Sequence, residues 1–211
     1  MPMKLHCFGE SGNAYKVALT LTLTDQEWEP VFVDFFKGAT RTPEFRALNV
    51  MGEVPVLEDG DLVLTQSAVM QDYISSKSGK LGGRSAAERR EVLRWMFFDN
   101  HKVSGIAGPL RFNLHFLPEA KRNADVNAFL AMRLASALKV METHLTGRNW
   151  LAGEDITIAD IACAGYLFYT EDFTFNRADY PQIDRWLDAI AARPGWKHPY
   201  DLMPRGLSDA A

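Results

Sequence analysis

A short run rich in glycine and serine divides this chain into two stretches with different patterns. The run is Ser78-Gly79-Lys80-Leu81-Gly82-Gly83-Arg84-Ser85, a composition typical of a linker. Short strand and helix patterns alternate before it, whereas long helical patterns with almost no strand signal follow it. We therefore predict an α/β domain over residues 1–78, a linker over residues 79–85 and an all-helical domain over residues 86–211.

The first stretch predicts the element order β-α-β-α-β-β-α. Its strand patterns cover residues 4–8, 31–35, 54–57 and 62–64. The last two flank the turn residues Asp59-Gly60, as expected for a hairpin. After the first strand, apolar residues alternate with threonines, which by itself favours another strand, but Ser11 is a helix-capping type. Parallel strands also need a crossover of this length, so we predict a helix there. Further helices at Thr42 and Ser67 complete a mixed sheet with helices on its faces.

The second stretch predicts a helical bundle. Apolar residues recur at three- and four-residue spacing over roughly residues 86–107, 125–145, 158–169 and 183–192. Thr157 and Asp160 form a capping-box pattern, and Ile156 and Ile161 are spaced as a hydrophobic staple around it. Helices of this kind bury their apolar faces against one another. The box is interpreted as a folding signal of this half rather than as a reactive site.

Charge and composition argue against several classes of function. The formal net charge of −4 argues against nucleic acid as a partner, because phosphate binding needs a clustered positive surface. The histidines lack the spacing of metal ligands, so no metal is expected.

The chain is expected to be located in the cytoplasm. No apolar stretch approaches the roughly 20 residues that span a bilayer, and no secretory pattern opens the chain. Cys7 and Cys163 are expected to be packed thiols.

Three features offer polar groups where a strand meets a helix or an irregular junction. Ser11 begins a helix, where backbone N–H groups favour an anion, and its hydroxyl either caps the helix or donates to a bound thiolate. Ser67, after Gln66, offers the same choice between a cap and a carboxylate ligand. Pro55 indicates either an edge strand or a cis Val54–Pro55 bond that turns the backbone of Val54 toward a ligand. Together these features could hold a small peptide-like ligand with carboxylates at its ends.

The motifs stand in one order along the chain: Ser11-Gly12-Asn13-x-x-Lys16-Val17, then Thr42 to Leu57 with Val54-Pro55, then Gln66-Ser67, then Trp150-Leu151-Ala152-Gly153 before the Thr157/Asp160 box, then Tyr180-Pro181 through Arg193-Pro194-Gly195-Trp196. This order resembles that of the glutathione S-transferases over essentially the whole chain. The serine at position 11 resembles the serine-type cytosolic, bacterial-like members. The resemblance implies a thioredoxin-like N-terminal domain and an all-α helical-bundle C-terminal domain. Asn49-Val50-Met51-Gly52 departs from the family pattern, which often has a proline before this glycine.

The same resemblance implies glutathione as co-substrate, no metal, and roles for particular residues. Ser11 would be the catalytic group that stabilises the glutathione thiolate, with Asn13 as the alternative partner of the thiol. The backbone of Val54, set by a cis Pro55, would pair with the cysteinyl part of glutathione.

The two ends of glutathione would be bound by other residues of the first domain. Gln66 and Ser67 would bind the γ-glutamyl carboxylate and amine. Lys37 and Glu53 lie where the family contacts the glycyl end, and the charge of Lys37 suits that carboxylate whereas the charge of Glu53 does not.

The resemblance further implies a second substrate, a hydrophobic electrophile or a peroxide, and a homodimer. From charge and hydropathy, no nucleic-acid or membrane partner is expected. The candidates for the second-substrate pocket are Phe97, Phe98, His101, Phe112 and Phe116. Aromatic residues at helical spacing are alternatively part of a core. The expected function is glutathione transfer in detoxification, and the alternative is a non-catalytic binding or interaction module of the same fold.

Overall fold

A computed structural model describes residues 1–207 of the chain. The chain forms two compact units, one made of Met1–Lys80 with the described residues from Arg193 onward, the other of Leu81–Ala192. The elements of the first unit are β1 (Met3–Cys7), α1 (Gly12–Leu23), β2 (Trp28–Phe32), α2 (Pro43–Leu48), β3 (Val56–Asp59), β4 (Leu62–Thr65), α3 (Ser67–Ser78) and α9 (Pro199–Leu202). Those of the second unit are α4 (Ala86–Phe98), α5 (Ser104–Arg111), α6 (Ala124–Leu145), α7 (Ile158–Ala164) and α8 (Pro181–Ala191).

The first unit has a four-stranded mixed sheet in the order β2-β1-β3-β4. β1 is parallel to β2 and antiparallel to β3, and β3 is antiparallel to β4. Met3, Leu5 and Cys7 of β1 are buried, which gives the strand the alternation of a half-covered face. The predicted α/β architecture is confirmed.

Helix α1 resolves the ambiguous segment after β1 in favour of a helix. Thr20 and the C-cap Thr24 are almost fully covered, and Thr22 is half-buried. The Thr20 hydroxyl donates to the carbonyl of Lys16 at 2.7 Å, and the Thr22 hydroxyl donates to that of Ala18 at 2.9 Å. Because each hydroxyl bonds to the preceding turn, threonine is accommodated on a buried helix and imitates a strand pattern in the sequence.

The described residues from Arg193 onward belong to the first unit. The sequence-based prediction put residues 86–211 in the helical domain, whereas the described residues from Arg193 onward group with residues 1–80. The Tyr15 hydroxyl of α1 donates to the carbonyl of Lys197 at 2.9 Å, and the Gly9 N–H donates to the carbonyl of Pro204 at 2.7 Å. These bonds join residues far apart in sequence, so local patterns could not reveal them.

The second unit is all-helical, as predicted. The predicted helix over residues 86–107 is interrupted between α4 and α5 by a π-helical turn, Asp99–Val103, where the Ser104 hydroxyl donates to the Asp99 carboxylate at 2.6 Å. Phe112–Phe116, after α5, is a second π-helical segment. In residues 1–207 no helix has the length and apolar character needed to cross a membrane.

Asp160 is the polar centre of the second unit, and the predicted capping box is observed. Its carboxylate is fully buried and accepts the N–H groups of Leu151 and Thr157, each at 2.8 Å. It also accepts the Thr157 hydroxyl and the Trp186 indole N–H, each at 3.0 Å. A buried carboxylate is tolerated only with such partners, so this group ties α7 and α8 together.

Candidate active site

The sheet register brings four irregular segments to one end of the sheet in the first unit. β1 and β2 end side by side, because Cys7 pairs with Phe32. The antiparallel β3 begins at the same end, where Val56 pairs with His6 of β1 and with Thr65 of β4. The residues that leave this end of the sheet therefore include Ser11, Lys37, Val54, Pro55 and Gln66. Those are five of the eight glutathione-site residues predicted from the sequence.

Ser11 is the N-cap of α1, and its side chain is nearly buried. Its hydroxyl oxygen accepts the N–H of Ala14 at 3.2 Å, and its own N–H donates to the carbonyl of Phe8 at 3.1 Å. The capping role is thus observed. Within residues 1–207 the hydroxyl proton of Ser11 has no acceptor, so it remains available to a ligand that carries negative charge.

Asn13 lies in the first turn of α1, two residues after Ser11. Its side-chain oxygen Oδ1 is buried and, within the part of the chain described, has no hydrogen-bond partner. Buried polar atoms without a partner are uncommon and call for an explanation, of which a missing ligand is one. The first turn of α1 therefore presents two polar side chains with unused hydrogen-bonding capacity.

The Val54–Pro55 peptide bond is cis, which is the second of the two expected conformations. Pro55 is buried, while Val54 is only partly covered. Neither the N–H nor the C=O of Val54 is hydrogen-bonded within residues 1–207. A backbone pair of this kind, next to the start of β3, can form the two hydrogen bonds that an extended peptide ligand offers.

Gln66 connects β4 to α3 and has an unusual backbone conformation, with φ of 68° and ψ of 116°. Its amide donates to the Glu53 carboxylate and to the sulfur of Met51, each at 3.3 Å. Non-glycine residues with positive φ cluster at ligand-binding sites. Ser67 follows as the first residue of α3, where the N–H groups of the first turn favour an anion.

Lys37 ends a short 3-10 helix, Phe35–Lys37, that is capped by Asp34. Its side chain is 85% exposed, and its ammonium lies 3.0 Å from the Asp34 carboxylate. Asp34 was not singled out from the sequence. The sequence does contain a signal for the contact between Asp34 and Lys37, namely their spacing of three residues, because side chains at that spacing meet on one helical face.

The first unit offers two other groups that could compete with Ser11 for a thiol-activating role, Cys7 and Tyr15. Burial raises the pKa of the Cys7 thiol to about 12, so it stays protonated at neutral pH. Burial also raises the pKa of Tyr15 above its ordinary value, although a hydrogen bond with Trp196 opposes this. Both groups are therefore part of the core, in agreement with the expectation of a packed thiol.

The aromatic residues predicted for a second substrate lie in the second unit and differ in exposure. Phe97 is 72% exposed, and His101 is also exposed. Phe98 packs edge-on against Trp95, with 5.1 Å between ring centroids, as a core residue does. Phe112 and Phe116 are neighbours at 6.1 Å. No group of three or more histidine, cysteine, aspartate or glutamate side chains in the part of the chain described could hold a metal ion.

Comparison with known proteins agrees with this geometry. Two family models match, "Glutathione S-transferase, N-terminal domain" over residues 1–76 and "Glutathione S-transferase, C-terminal domain" over residues 110–194. Glutathione S-transferase 3 of Zea mays is 34% identical over 213 residues, covering 96% of this chain and 95% of the relative.

Solved structures agree as well. The glutathione S-transferase of Pseudomonas fluorescens superimposes with a TM-score of 0.87 at 31% identity, covering 94% of this chain and 99% of that one. A glutathione S-transferase-I bound with lactoylglutathione superimposes with a TM-score of 0.84 at 25% identity, covering 96% of this chain and 100% of that one. The chain belongs to the glutathione S-transferase family.

Proposed function

We propose that this member of the glutathione S-transferase family activates the thiol of bound glutathione through the hydroxyl of Ser11, and so belongs to the serine-type members. The observation that carries the proposal is the Ser11 hydroxyl at the start of α1, buried and with its proton unused within residues 1–207. A donor held there stabilises a thiolate more than a thiol and lowers the thiol pKa. The positive end of the α1 dipole acts in the same direction.

The chemistry that follows is nucleophilic attack by sulfur. The bound thiol releases its proton to solvent, and an electron pair of the thiolate forms the new bond to the electrophilic atom of the second substrate. The leaving group departs with the electron pair of the bond that breaks. Because the thiolate is the reactive form, its fraction at neutral pH sets the rate. Asn13 is the alternative group beside the thiol, and it would stabilise the thiolate by donating from its side-chain Nδ2, since its buried Oδ1, which has no partner in the described residues, can only accept.

The rest of glutathione would be held by backbone and side chains at the same end of the sheet. The N–H and C=O of Val54, beside Pro55, would pair with the cysteinyl peptide unit. Gln66 and Ser67 would bind the γ-glutamyl carboxylate. The binding of lactoylglutathione by a solved relative supports a ligand of this size and polarity.

The charged groups would serve the two ends of the ligand. The Lys37 ammonium would meet the glycyl carboxylate, at the expense of its contact with Asp34. The resemblance put Glu53 at the glycyl end too, but its carboxylate accepts the Gln66 amide. We therefore assign Glu53 to the γ-glutamyl end, where it would attract the ammonium group.

The second substrate, the oligomeric state and the location are inferred from the family. The second substrate would be a hydrophobic electrophile or a peroxide, bound with the help of exposed aromatic side chains such as Phe97 and Phe112. The protein would act as a homodimer in the cytoplasm.

The test of the proposal is Ser11→Ala, with Ser67→Ala as the control. The ultraviolet absorbance of the bound thiolate, followed against pH, measures the thiol pKa. A hydrogen bond to a charged group contributes ~1.5–3 kcal/mol, so Ser11→Ala should raise the thiol pKa and lower kcat/KM about ten- to a hundredfold at neutral pH. Ser67→Ala should weaken glutathione binding and leave the thiol pKa unchanged.

The outcomes separate the candidate roles. Because Ser11→Ala also removes a helix cap, thermal unfolding of the variant measures that loss independently. An unchanged thiol pKa in Ser11→Ala, with a changed one in Asn13→Ala, would transfer the role to Asn13. Failure of millimolar glutathione to raise the melting temperature of the unmodified chain would favour the non-catalytic module, since a ligand selective for the native state stabilises it.

A further inference from the structure

The C-terminal segment Pro204–Leu207 lies against the loop that carries Ser11, and Glu10 of that loop binds it. The N–H of Gly206 donates to one carboxylate oxygen of Glu10 at 2.8 Å. The N–H of Leu207 donates to the other oxygen at 3.0 Å. The Gly9 N–H, one residue earlier in the loop, donates to the Pro204 carbonyl at 2.7 Å. Three hydrogen bonds, two to the Glu10 side chain and one between backbone groups, thus join the end of the described chain to the two residues that precede Ser11.

The Glu10 side chain is built into this contact. It is only 1% exposed, and the Arg205 guanidinium Nε lies 3.8 Å from one of its oxygens. A buried carboxylate is costly to desolvate unless its oxygens accept hydrogen bonds, and charge-assisted bonds from N–H groups are among the stronger ones in proteins. Because both oxygens of Glu10 accept a backbone N–H of the segment, loss of either donor would leave charge poorly compensated.

The segment and the loop are also tightly packed. A β-carbon added at Gly206 would lie 3.1 Å from Glu10 Oε2 and 3.2 Å from the Phe36 ring. A β-carbon added at Gly9 would lie 3.2 Å from the Tyr200 ring and 3.4 Å from the Arg205 Cα. Phe36 directly precedes Lys37 and Glu10 directly precedes Ser11, so the neighbours of Gly206 stand next to two of the residues predicted to contact glutathione.

The contact with Pro204–Leu207 adds to the restraint that the loop receives from the bond between the Ser11 N–H and the Phe8 carbonyl. Gly9 and Gly12 flank Glu10 and Ser11, and glycine gives the backbone more conformational freedom than any other residue. The position of a donor relative to a thiolate affects the rate strongly, since small displacements at a reacting centre lower rates by large factors. A segment fixed against the loop would therefore help to hold the Ser11 hydroxyl in position to donate to the thiolate.

We propose that Glu10 is a positioning residue: by tying the C-terminal segment to the loop between β1 and α1, it holds the Ser11 hydroxyl where it donates to the glutathione thiolate. This inference rests on the proposed function of Ser11. It makes Pro204–Leu207 part of the thiol-activating machinery, acting through Glu10 and the loop rather than on the thiol itself.

The experiment compares full-length variants on each side of the contact. Glu10→Gln replaces one accepting oxygen by an amide group that faces a backbone N–H. Leu207→Pro removes one donor outright, and Leu207→Ala is its matched control because it keeps the N–H. Glu10→Gln and Leu207→Pro should each raise the pKa of bound glutathione and lower kcat/KM at neutral pH roughly tenfold, whereas Leu207→Ala should leave both near the unmodified values.

Two double variants test whether the effect of Glu10 on the thiol pKa depends on its contact with Leu207 and on the Ser11 hydroxyl. Glu10→Gln combined with Leu207→Pro should have no more effect than the larger single change, since both break one contact. Glu10→Gln in the Ser11→Ala background should not move the thiol pKa further. Thermal unfolding of every variant separates a loss of stability from a loss of positioning, and Leu207→Pro retains the test if Glu10→Gln does not fold.

Three outcomes would overturn the inference. The first is a lower melting temperature with an unchanged thiol pKa in both Glu10→Gln and Leu207→Pro, which would reduce the contact to a structural one. The second is a further rise of the thiol pKa on adding Glu10→Gln to Ser11→Ala. The third is an unchanged thiol pKa in Ser11→Ala itself, which refutes the proposed function as well, whereas the first two leave it intact.

Discussion

The backbone of Gln66 is strained, and substitutions there separate strain from ligand binding. A non-glycine residue at φ of 68° and ψ of 116° lies outside the well-populated regions, which costs of order 1–3 kcal/mol. Gln66→Gly removes that strain, and Gln66→Ala keeps it. Both variants lose the side-chain amide that contacts Glu53 and Met51. The difference in stability between the two variants therefore measures the backbone strain at this position.

The expected difference follows from two opposing terms. Relief of strain stabilises the glycine variant by about 1–3 kcal/mol, and the greater freedom of glycine in the unfolded chain offsets about 0.5–1 kcal/mol of this. With the middle of each range, Gln66→Gly should be more stable than Gln66→Ala by about 1.2 kcal/mol, which corresponds to roughly 2–5 °C in melting temperature for a chain of this size. Both variants should bind glutathione about tenfold more weakly, because a hydrogen bond to a charged end of the ligand is lost.

Two measurements check this expectation. Thermal unfolding without ligand gives the order of stability, and titration with glutathione gives the affinities. If Gln66→Ala melts as high as Gln66→Gly, the backbone at this position is not strained and the reasoning fails. If both variants bind glutathione as tightly as the unmodified chain, the Gln66 amide does not contact the ligand.

Two further predictions concern carboxylates outside the thiol site. Asp160→Ala leaves four donors without their buried acceptor, and each unpaired donor costs about 1–3 kcal/mol. Denaturant unfolding should therefore show that the free energy of unfolding falls by at least ~4 kcal/mol in Asp160→Ala and by less in Asp160→Asn. A fall below about 1 kcal/mol in Asp160→Ala would contradict the assigned role. Hydrogen bonds from Lys77 and then Tyr73 hold the pKa of the Asp59 carboxyl below its usual value. A depressed pKa means that the unfolded chain binds more protons, so stability from this group is present above the unfolded pKa of about 3.9 and is lost as pH falls through the folded value. Melting temperature measured against pH should therefore decline less steeply below about pH 4 in Asp59→Asn than in the unmodified chain, and equal slopes would refute the assignment.

Local patterns were sufficient for much of the fold. The Asp59-Gly60 turn, the Ser11 cap and the Thr157/Asp160 box each report on a few neighbouring residues, and the structure has all of them. The fold class followed, since the order of strands and helices restricts how a sheet can be covered. The strand-like alternation after Ser11 was a weaker signal, because threonine hydroxyls that bond within a helix can be buried.

The candidate site was visible in the sequence only as separate pieces. Ser11, Val54 and Gln66 could each be named, but their meeting at one end of the sheet depends on strand register, which pairs residues roughly 50 positions apart. The contact of Gln66 with Glu53 depends on the same register.

The sequence by itself determined the elements, their caps and turns, and the polar residues at the ends of strands, because those features arise from bonds between near neighbours. The tertiary structure alone decided which of those residues meet. It showed the return of the chain from Arg193 to the first unit and the binding of Gly206 and Leu207 by Glu10, across a separation of almost 200 residues. No local pattern specifies such a contact, since packing of the whole unit brings its partners together and buries the charge of Glu10.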